Sequence, residues 1–153
     1  MLSEIISNQV LVIPICSWAV AQLLKVLIVL LQQKRLDLRY LVISGGMPSS
    51  HSAFVSALAT AVAYIEGFGS VAFGISVVLA LVIMYDAAGV RQSVGQQSVV
   101  LNRIIRELRL RRPVVGLGRD LKEFIGHTQF QVIIGGSIGV AVALCWIIIK
   151  DIL

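Results

Sequence analysis

Two long apolar runs constrain the fold of this chain more than any other feature. The first extends from Ile5 to Leu31, broken only by isolated polar residues, and the second from Phe130 to Ile149. A helix needs roughly 20 residues to cross a hydrocarbon core about 30 Å thick, so each run predicts a membrane-spanning helix. The composition agrees, because 58% of the 153 residues are hydrophobic and only 14% are charged. This balance excludes an ordinary soluble domain.

Two shorter apolar segments, Ala53 to Tyr64 and Val71 to Tyr85, predict a helical hairpin between the long runs. A glycine-punctuated stretch between them, EGFGS, is typical of a tight turn. We therefore predict an all-α, polytopic membrane helix bundle of about four transmembrane helices, in a single integral membrane domain over residues 1–153. Gly135 and Gly139 have the G-x-x-x-G spacing suited to close helix contact, either within the chain or in a homodimer.

Charged residues are distributed unequally between the two ends of this bundle. If the four helices alternate in direction, the segments Gln32 to Ser50 and Asp86 to Thr128 emerge together, at what we call the basic end. This end has eleven of the thirteen Lys and Arg residues: Lys34, Arg35, Arg39, Arg91, Arg103, Arg106, Arg109, Arg111, Arg112, Arg119 and Lys122. The positive-inside rule then predicts that the basic end lies in the cytoplasm and that both termini lie outside. We expect a protein of the bacterial plasma membrane.

The second basic segment contains a helical pattern of its own. Apolar residues recur at helical spacing from Val99 to Leu108, between polar and basic residues, which predicts a short amphipathic helix. Its role has two alternatives, an interfacial helix on anionic lipid headgroups or a helix that binds a phosphorylated substrate directly. Nucleic acid is not an expected partner, because the charge is confined to juxtamembrane segments without interleaved aromatic side chains.

The two histidines of the chain stand where two of the predicted helices begin, both at the basic end. His51 follows Gly45-Gly46 and two serines, and His127 precedes the last apolar run. Helix N-termini favour an anion, because their backbone N–H groups are free and the helix dipole is positive there. Ser49 or Ser50 can cap the helix or donate to a phosphate oxygen. The pattern predicts a phosphate site at the basic end.

Two more charged residues are unusual for their position. Lys25 lies within the first predicted helix, on one face with Gln22 and Gln32. It either extends to the interface or faces a polar interior, and the glutamines favour the interior. Asp86 ends the third predicted helix, where its carboxylate either orients a histidine or pairs with Arg91.

Several of these stretches resemble the motifs of a known enzyme family. Pro48-Ser49-Ser50-His51 resembles the P-S-G-H motif of the type 2 phosphatidic acid phosphatases, relatives of the vanadium haloperoxidases. The stretch from His127 to Gly135 is similar to that family's last motif, H-x-x-x-D-V-x-x-G. The segments GGMPSSHSA, MYDAAGVR and GHT are most similar to a divergent branch of small membrane proteins, and this likeness extends over nearly the whole chain.

The resemblance implies a phosphatase of lipid phosphates or pyrophosphates that needs neither a metal nor another cofactor. In the parent family the last-motif histidine attacks phosphorus and the P-S-G-H histidine protonates the leaving group. It therefore implies that His127 is the nucleophile and His51 the general acid, with Asp86 as a candidate to orient a histidine. The candidates for phosphate binding are Lys25, Arg39, Ser49, Ser50, Arg91 and Lys122.

The chain also departs from the pattern of the parent family. The lysine and Arg-Pro pairing of the first motif is absent, Leu121 stands where the third motif has its arginine, and Gln131 replaces the aspartate of the last motif. An amide can accept a hydrogen bond from a histidine but cannot stabilise an imidazolium as a carboxylate does. These departures favour an alternative, a non-catalytic phospholipid-binding or lipid-translocating membrane protein.

Overall fold

The structure is a computed structural model that describes residues 2–34, 46–111 and 127–152, and these residues form α-helices and their connections. In chain order the helices are α1 (Leu2–Ser7), α2 (Gln9–Gln33), α3 (Ser50–Glu66), α4 (Val71–Ala88), α5 (Val90–Arg111) and α6 (Gln129–Ile152). The prediction of one helix from Ile5 to Leu31 is wrong at its start, where Asn8 divides α1 from α2. Asn8 has an extended backbone and its side chain accepts a hydrogen bond from the N–H of Val10 at 3.0 Å, so it caps α2.

The prediction of an all-α polytopic membrane bundle is confirmed. Within the described residues, three stretches are long and apolar enough to cross a membrane: Gln9–Gln32, Val71–Glu107 and Gln129–Ile152. The second stretch runs through both α4 and α5. The remaining predicted membrane helix, α3, has 17 residues and is therefore about 25 Å long, slightly less than the hydrocarbon core.

This short helix, α3, is the centre of the bundle. It packs against α2, α4 and α6, while the backbones of α2 and α4 stay apart over the parts that the structure describes. Ile13, Ala57, Ala61 and Ala143 are fully buried where α2, α3 and α6 meet. Small side chains allow helices in a membrane to pack closely. A cleft between α2 and α4, with α3 as its floor, follows from this arrangement.

The glycines of α6 allow it to contact α3 directly. A Cβ atom at Gly135 would collide with the carbonyl oxygen of Ser49, and one at Gly139 with the carbonyl oxygen of Ala53. The hydroxyl of Ser17 in α2 donates to that same Ala53 oxygen at 3.1 Å, so three helices meet there. Of the two alternatives for the G-x-x-x-G spacing, the structure shows the contact within one chain.

The ends of the helices are arranged as expected for helices that alternate in direction across the membrane. At the basic end, the N–H of Ser49 donates to the carbonyl oxygen of Gln131 at 3.2 Å, which joins the starts of α3 and α6. At the opposite end, the hydroxyl of Tyr64 donates to the carboxylate of Asp151 at 2.8 Å, which joins their ends. The helices α3 and α6 are therefore parallel neighbours, and both begin at the basic end.

The predicted hairpin turn and amphipathic helix are both confirmed. Gly67 has a φ of +83° after the end of α3, and the hydroxyl of Ser70 caps α4 by accepting from the N–H of Phe73 at 3.1 Å. The amphipathic helix, α5, is longer than predicted. Its apolar residues Val94 and Leu101 are each 47% exposed, so the bundle does not cover them.

Candidate functional site

Residues Gly46 to Ser49 form a tight turn that leads into α3, and Pro48 and Ser49 of this turn are buried. Gly46 has a φ of +80°, which residues with side chains rarely adopt. Ser49 is the N-cap of α3, because its hydroxyl oxygen accepts from the N–H of Ser52 at 3.4 Å and from the hydroxyl of Ser52 at 2.9 Å. Ser50 is the first residue of the helix, and both predicted phosphate-binding serines are buried.

Lys25 lies directly behind this turn. Its side chain is only 1% exposed, and a Cβ atom at Gly46 would lie 3.8 Å from its Cγ and Cδ atoms. Gln22 and Ser17 are buried in the same helix, whereas Gln32 is exposed although its spacing placed it on the face of Lys25. The structure therefore shows Lys25 in the interior and not extended to the interface. A buried cation beside the turn favours an anionic ligand there.

His127 is buried immediately before α6, and Gln131 contacts its ring. The ring is 4% exposed, and its Nδ1 lies 3.3 Å from Oε1 of Gln131. The same oxygen accepts from the backbone N–H of Thr128 at 3.1 Å, while the N–H of Gln131 donates to the hydroxyl oxygen of Thr128 at 3.4 Å. This reciprocal pair is a capping box at the start of α6.

The capping box decides the tautomer of His127. A backbone N–H can only donate, so the Gln131 atom that faces Thr128 is the amide oxygen and not the amide nitrogen. An amide oxygen can only accept, so Nδ1 of His127 carries a hydrogen, and in the neutral ring the lone pair is then on Nε2. Gln131 therefore orients the ring as an aspartate would, but without a negative charge. Sequence reasoning placed Gln131 at the position of the orienting aspartate but missed its capping role, although the T-x-x-Q pattern from Thr128 to Gln131 is itself a capping-box signal.

The end of α4 lies beside His127. The backbone N–H of His127 donates to the carbonyl oxygen of Ala87 at 3.2 Å, and the partly buried Asp86 immediately precedes that residue. The structure thus brings Asp86 to the edge of the site, and both alternatives for its carboxylate stay predictions. Arg91 lies in the first turn of α5. Arg39 and Lys122 lie outside the described residues.

His51 faces the other side of α3. It follows Ser49 by two residues, and is therefore roughly 200° farther around the helix axis. Its exposed side chain lines a groove of about 330 Å³, which we call the His51 groove and which is formed by Trp18 of α2, His51, Phe54 and Val55 of α3, and Leu79 and Ile83 of α4. The α6 side of α3 is the side of Ser49 and Ala53. His51 therefore faces away from the side of α3 that α6 contacts.

This arrangement defines a class of protein: a polytopic membrane bundle that holds a candidate anion site where its helices α3 and α6 begin. In the described part of the chain, no group of three His, Cys, Asp or Glu side chains could hold a metal ion.

Comparison with known proteins identifies the family. The family described as the Divergent PAP2 family matches residues 6–142, and the chain belongs to it. The chain is also similar to the Uncharacterized membrane protein YuiD of Bacillus subtilis (strain 168), with 34% identity over 153 residues that cover 92% of this chain and 95% of that protein. No solved structure matches the chain. The resemblance drawn from the GGMPSSHSA, MYDAAGVR and GHT segments is thereby confirmed.

Replacing Gln131 with alanine should allow the ring of His127 to adopt both neutral tautomers. The substitution removes the oxygen that accepts from Nδ1, so we expect ¹⁵N NMR to show the Nδ1–H form in the original protein and a mixture of both tautomers in Gln131→Ala. Thr128→Ala is the matched control, because it breaks the same capping box without removing that oxygen. Each variant should lose about 1 kcal/mol of stability. A predominant Nε2–H form in the original protein would contradict the assignment.

Proposed function

We propose that the protein is a membrane-embedded phosphatase of lipid phosphates or pyrophosphates that works through a phosphohistidine on His127. The orientation of His127 carries this proposal. Its ring is buried, and Gln131 accepts from Nδ1–H, which in the neutral ring places the lone pair on Nε2, the atom that attacks phosphorus in this proposal. Membership of the Divergent PAP2 family supports a protein of the phosphatidic acid phosphatase type.

Two balanced steps describe the reaction. In the first, Nε2 of His127 bonds to phosphorus while the bond from phosphorus to the lipid oxygen breaks, and protonated His51 gives its proton to that oxygen. In the second, neutral His51 takes a proton from water, whose oxygen displaces His127 from phosphorus and releases inorganic phosphate. Both histidines return to their starting state. Asp86 can orient His51 or His127 from the end of α4.

The phosphate is held by cations and N–H groups at the start of α3. Lys25 lies behind the turn, and the serines Ser49 and Ser50 begin the helix there, where a positive dipole and N–H donors stabilise an anion. We include Arg39, Arg91 and Lys122 as further cations because they belong to the basic-end segments. The excess of Lys and Arg at this end supports a site on the cytoplasmic side.

Phosphate release in membrane vesicles tests the proposal. We expect release from a panel of lipid phosphates in the presence of EDTA, inhibition by vanadate, and activity in inverted but not right-side-out vesicles when the substrate cannot cross the membrane. The absence of release from every lipid phosphate would refute the enzyme. Equal activity in both vesicle orientations would refute the cytoplasmic site alone.

A second candidate function, non-catalytic binding or translocation of a phospholipid, is favoured by the position of His51 in an apolar groove. A non-catalytic binding protein needs the anion site but no general acid next to His127. Lipid binding or lipid flux that persists in His127→Gln, together with no phosphate release by the original protein, would support this function and exclude the enzyme.

A further inference from the structure

The geometry points to the His51 groove as the binding site for the hydrocarbon chain of the substrate. The chain it fits is one joined directly to the phosphate oxygen, as in an alkyl or prenyl phosphate. This inference rests on the proposed phosphatase function and specifies its substrate. Three observations support it: the position of His51, the composition of the groove, and the location of a larger competing groove.

The position of His51 defines where the lipid leaves. In the proposed reaction His51 protonates the lipid oxygen, so this oxygen lies beside the His51 ring. His51 is roughly 200° around α3 from Ser49, the residue that Gly135 of α6 contacts, and its ring lines the His51 groove. The chain attached to that oxygen therefore begins at the His51 groove.

The composition of the groove indicates what that chain is. Among its six lining residues, the only polar side-chain groups are the His51 ring and the indole N–H of Trp18. A diacylglycerol phosphate has two ester groups close to its phosphate, and ester oxygens need polar partners when they leave water. An alkyl or prenyl chain has no such groups. Because the backbones of α2 and α4 stay apart along their described lengths, a long chain can continue sideways into the bilayer.

A larger groove of about 540 Å³ lies between α3, α4 and α6 and is the alternative binding site. Its lining includes Ser56 and Thr60 of α3, Leu81 of α4 and Val140 of α6. Gly136, next to Gly135, packs against Ser56 of this groove. The groove is therefore on the α6 side of α3, and His51 is not among its lining residues. A chain joined to the oxygen that His51 protonates does not begin there.

Matched substitutions in the two grooves test the inference. Leu79 and Leu81 are both exposed leucines of α4, but Leu79 lines the His51 groove and Leu81 lines the larger one. We expect Leu79→Trp to lower kcat/KM for a prenyl phosphate about tenfold or more relative to kcat/KM for p-nitrophenyl phosphate, which has no long chain. Leu81→Trp should change neither. The original protein should prefer the prenyl phosphate to a diacylglycerol phosphate.

A larger loss in Leu81→Trp, equal losses in both variants, or a preference for the diacylglycerol phosphate would overturn the inference. Photolabelling separates its failure from the failure of the proposed function, because it requires binding but no turnover. A prenyl phosphate with a photoreactive group in its chain should label Phe54 or Leu79 in the original protein. Val140 and Leu144 line the larger groove. Labelling of either residue instead would place the chain in that groove, whether or not phosphate is released.

Discussion

Replacing His127 with alanine should lower the rate of phosphate release from lipid phosphates by at least about 10³-fold, because it removes the nucleophile. The loss should be the same for every substrate, since each passes through the same phosphohistidine. Acid-quenched reactions of the original protein should contain a phosphorylated protein whose phosphate is labile to acid and stable to base. His127→Ala should contain none. Rapid-quench kinetics with radiolabelled substrate measures both quantities.

His51→Ala provides the comparison for this prediction. A general acid matters only when the leaving group needs a proton, so His51→Ala should slow the release of a lipid alcohol far more than the release of p-nitrophenolate. Ser137→Ala is the folding control, because Ser137 is exposed on α6 and its hydroxyl donates only to a carbonyl of its own helix. Full activity in His127→Ala, or phosphorylation at another residue, would contradict the assignment of the nucleophile.

Gly139→Ala should destabilise the bundle by about 3 kcal/mol or more, because the added Cβ collides with backbone at the contact between α3 and α6. The atom it meets, the carbonyl oxygen of Ala53, also accepts from Ser17 and cannot move without breaking that hydrogen bond. Thermal or denaturant unfolding in detergent micelles measures the loss. Activity should fall as well, since the same helix contact positions His127.

Gly74→Ala is the matched control within the bundle. Gly74 lies in α4, and no atom lies within 4 Å of a Cβ atom built there. The substitution should therefore leave stability unchanged or raise it by up to about 1 kcal/mol, the difference in helix propensity between the two residues. Equal effects of Gly74→Ala and Gly139→Ala would show that the two glycines have the same role, and that the close contact is not required.

The helices of the bundle could be predicted because spanning a membrane imposes a simple pattern. About 20 consecutive apolar residues are needed in any order, so a run such as Phe130 to Ile149 predicts α6 without information on its neighbours. The helix starts were harder to predict, because they depend on single side chains. Asn8 interrupts the first run through one hydrogen bond to the N–H of Val10.

Prediction of the candidate site was less complete. Lys25, His51 and His127 were recognised because polar residues are conspicuous beside apolar runs, and the structure places Lys25 and His127 in the interior. Gln131 was recognised as the replacement for an orienting aspartate, but its capping role was not. That role depends on two hydrogen bonds to one oxygen, and these form only once α6 begins at Gln129.

Hydropathy and charge along the chain were sufficient to predict a membrane bundle with a basic end and a phosphate site at two helix starts. Both are properties of consecutive residues and do not depend on which helices are neighbours. The rotation of each helix about its own axis depends on packing, and glycines at 135 and 139 set it where α6 meets α3. That rotation turns Ser49 toward α6 and His51 toward the groove between α2 and α4, because residues two positions apart on a helix face nearly opposite directions.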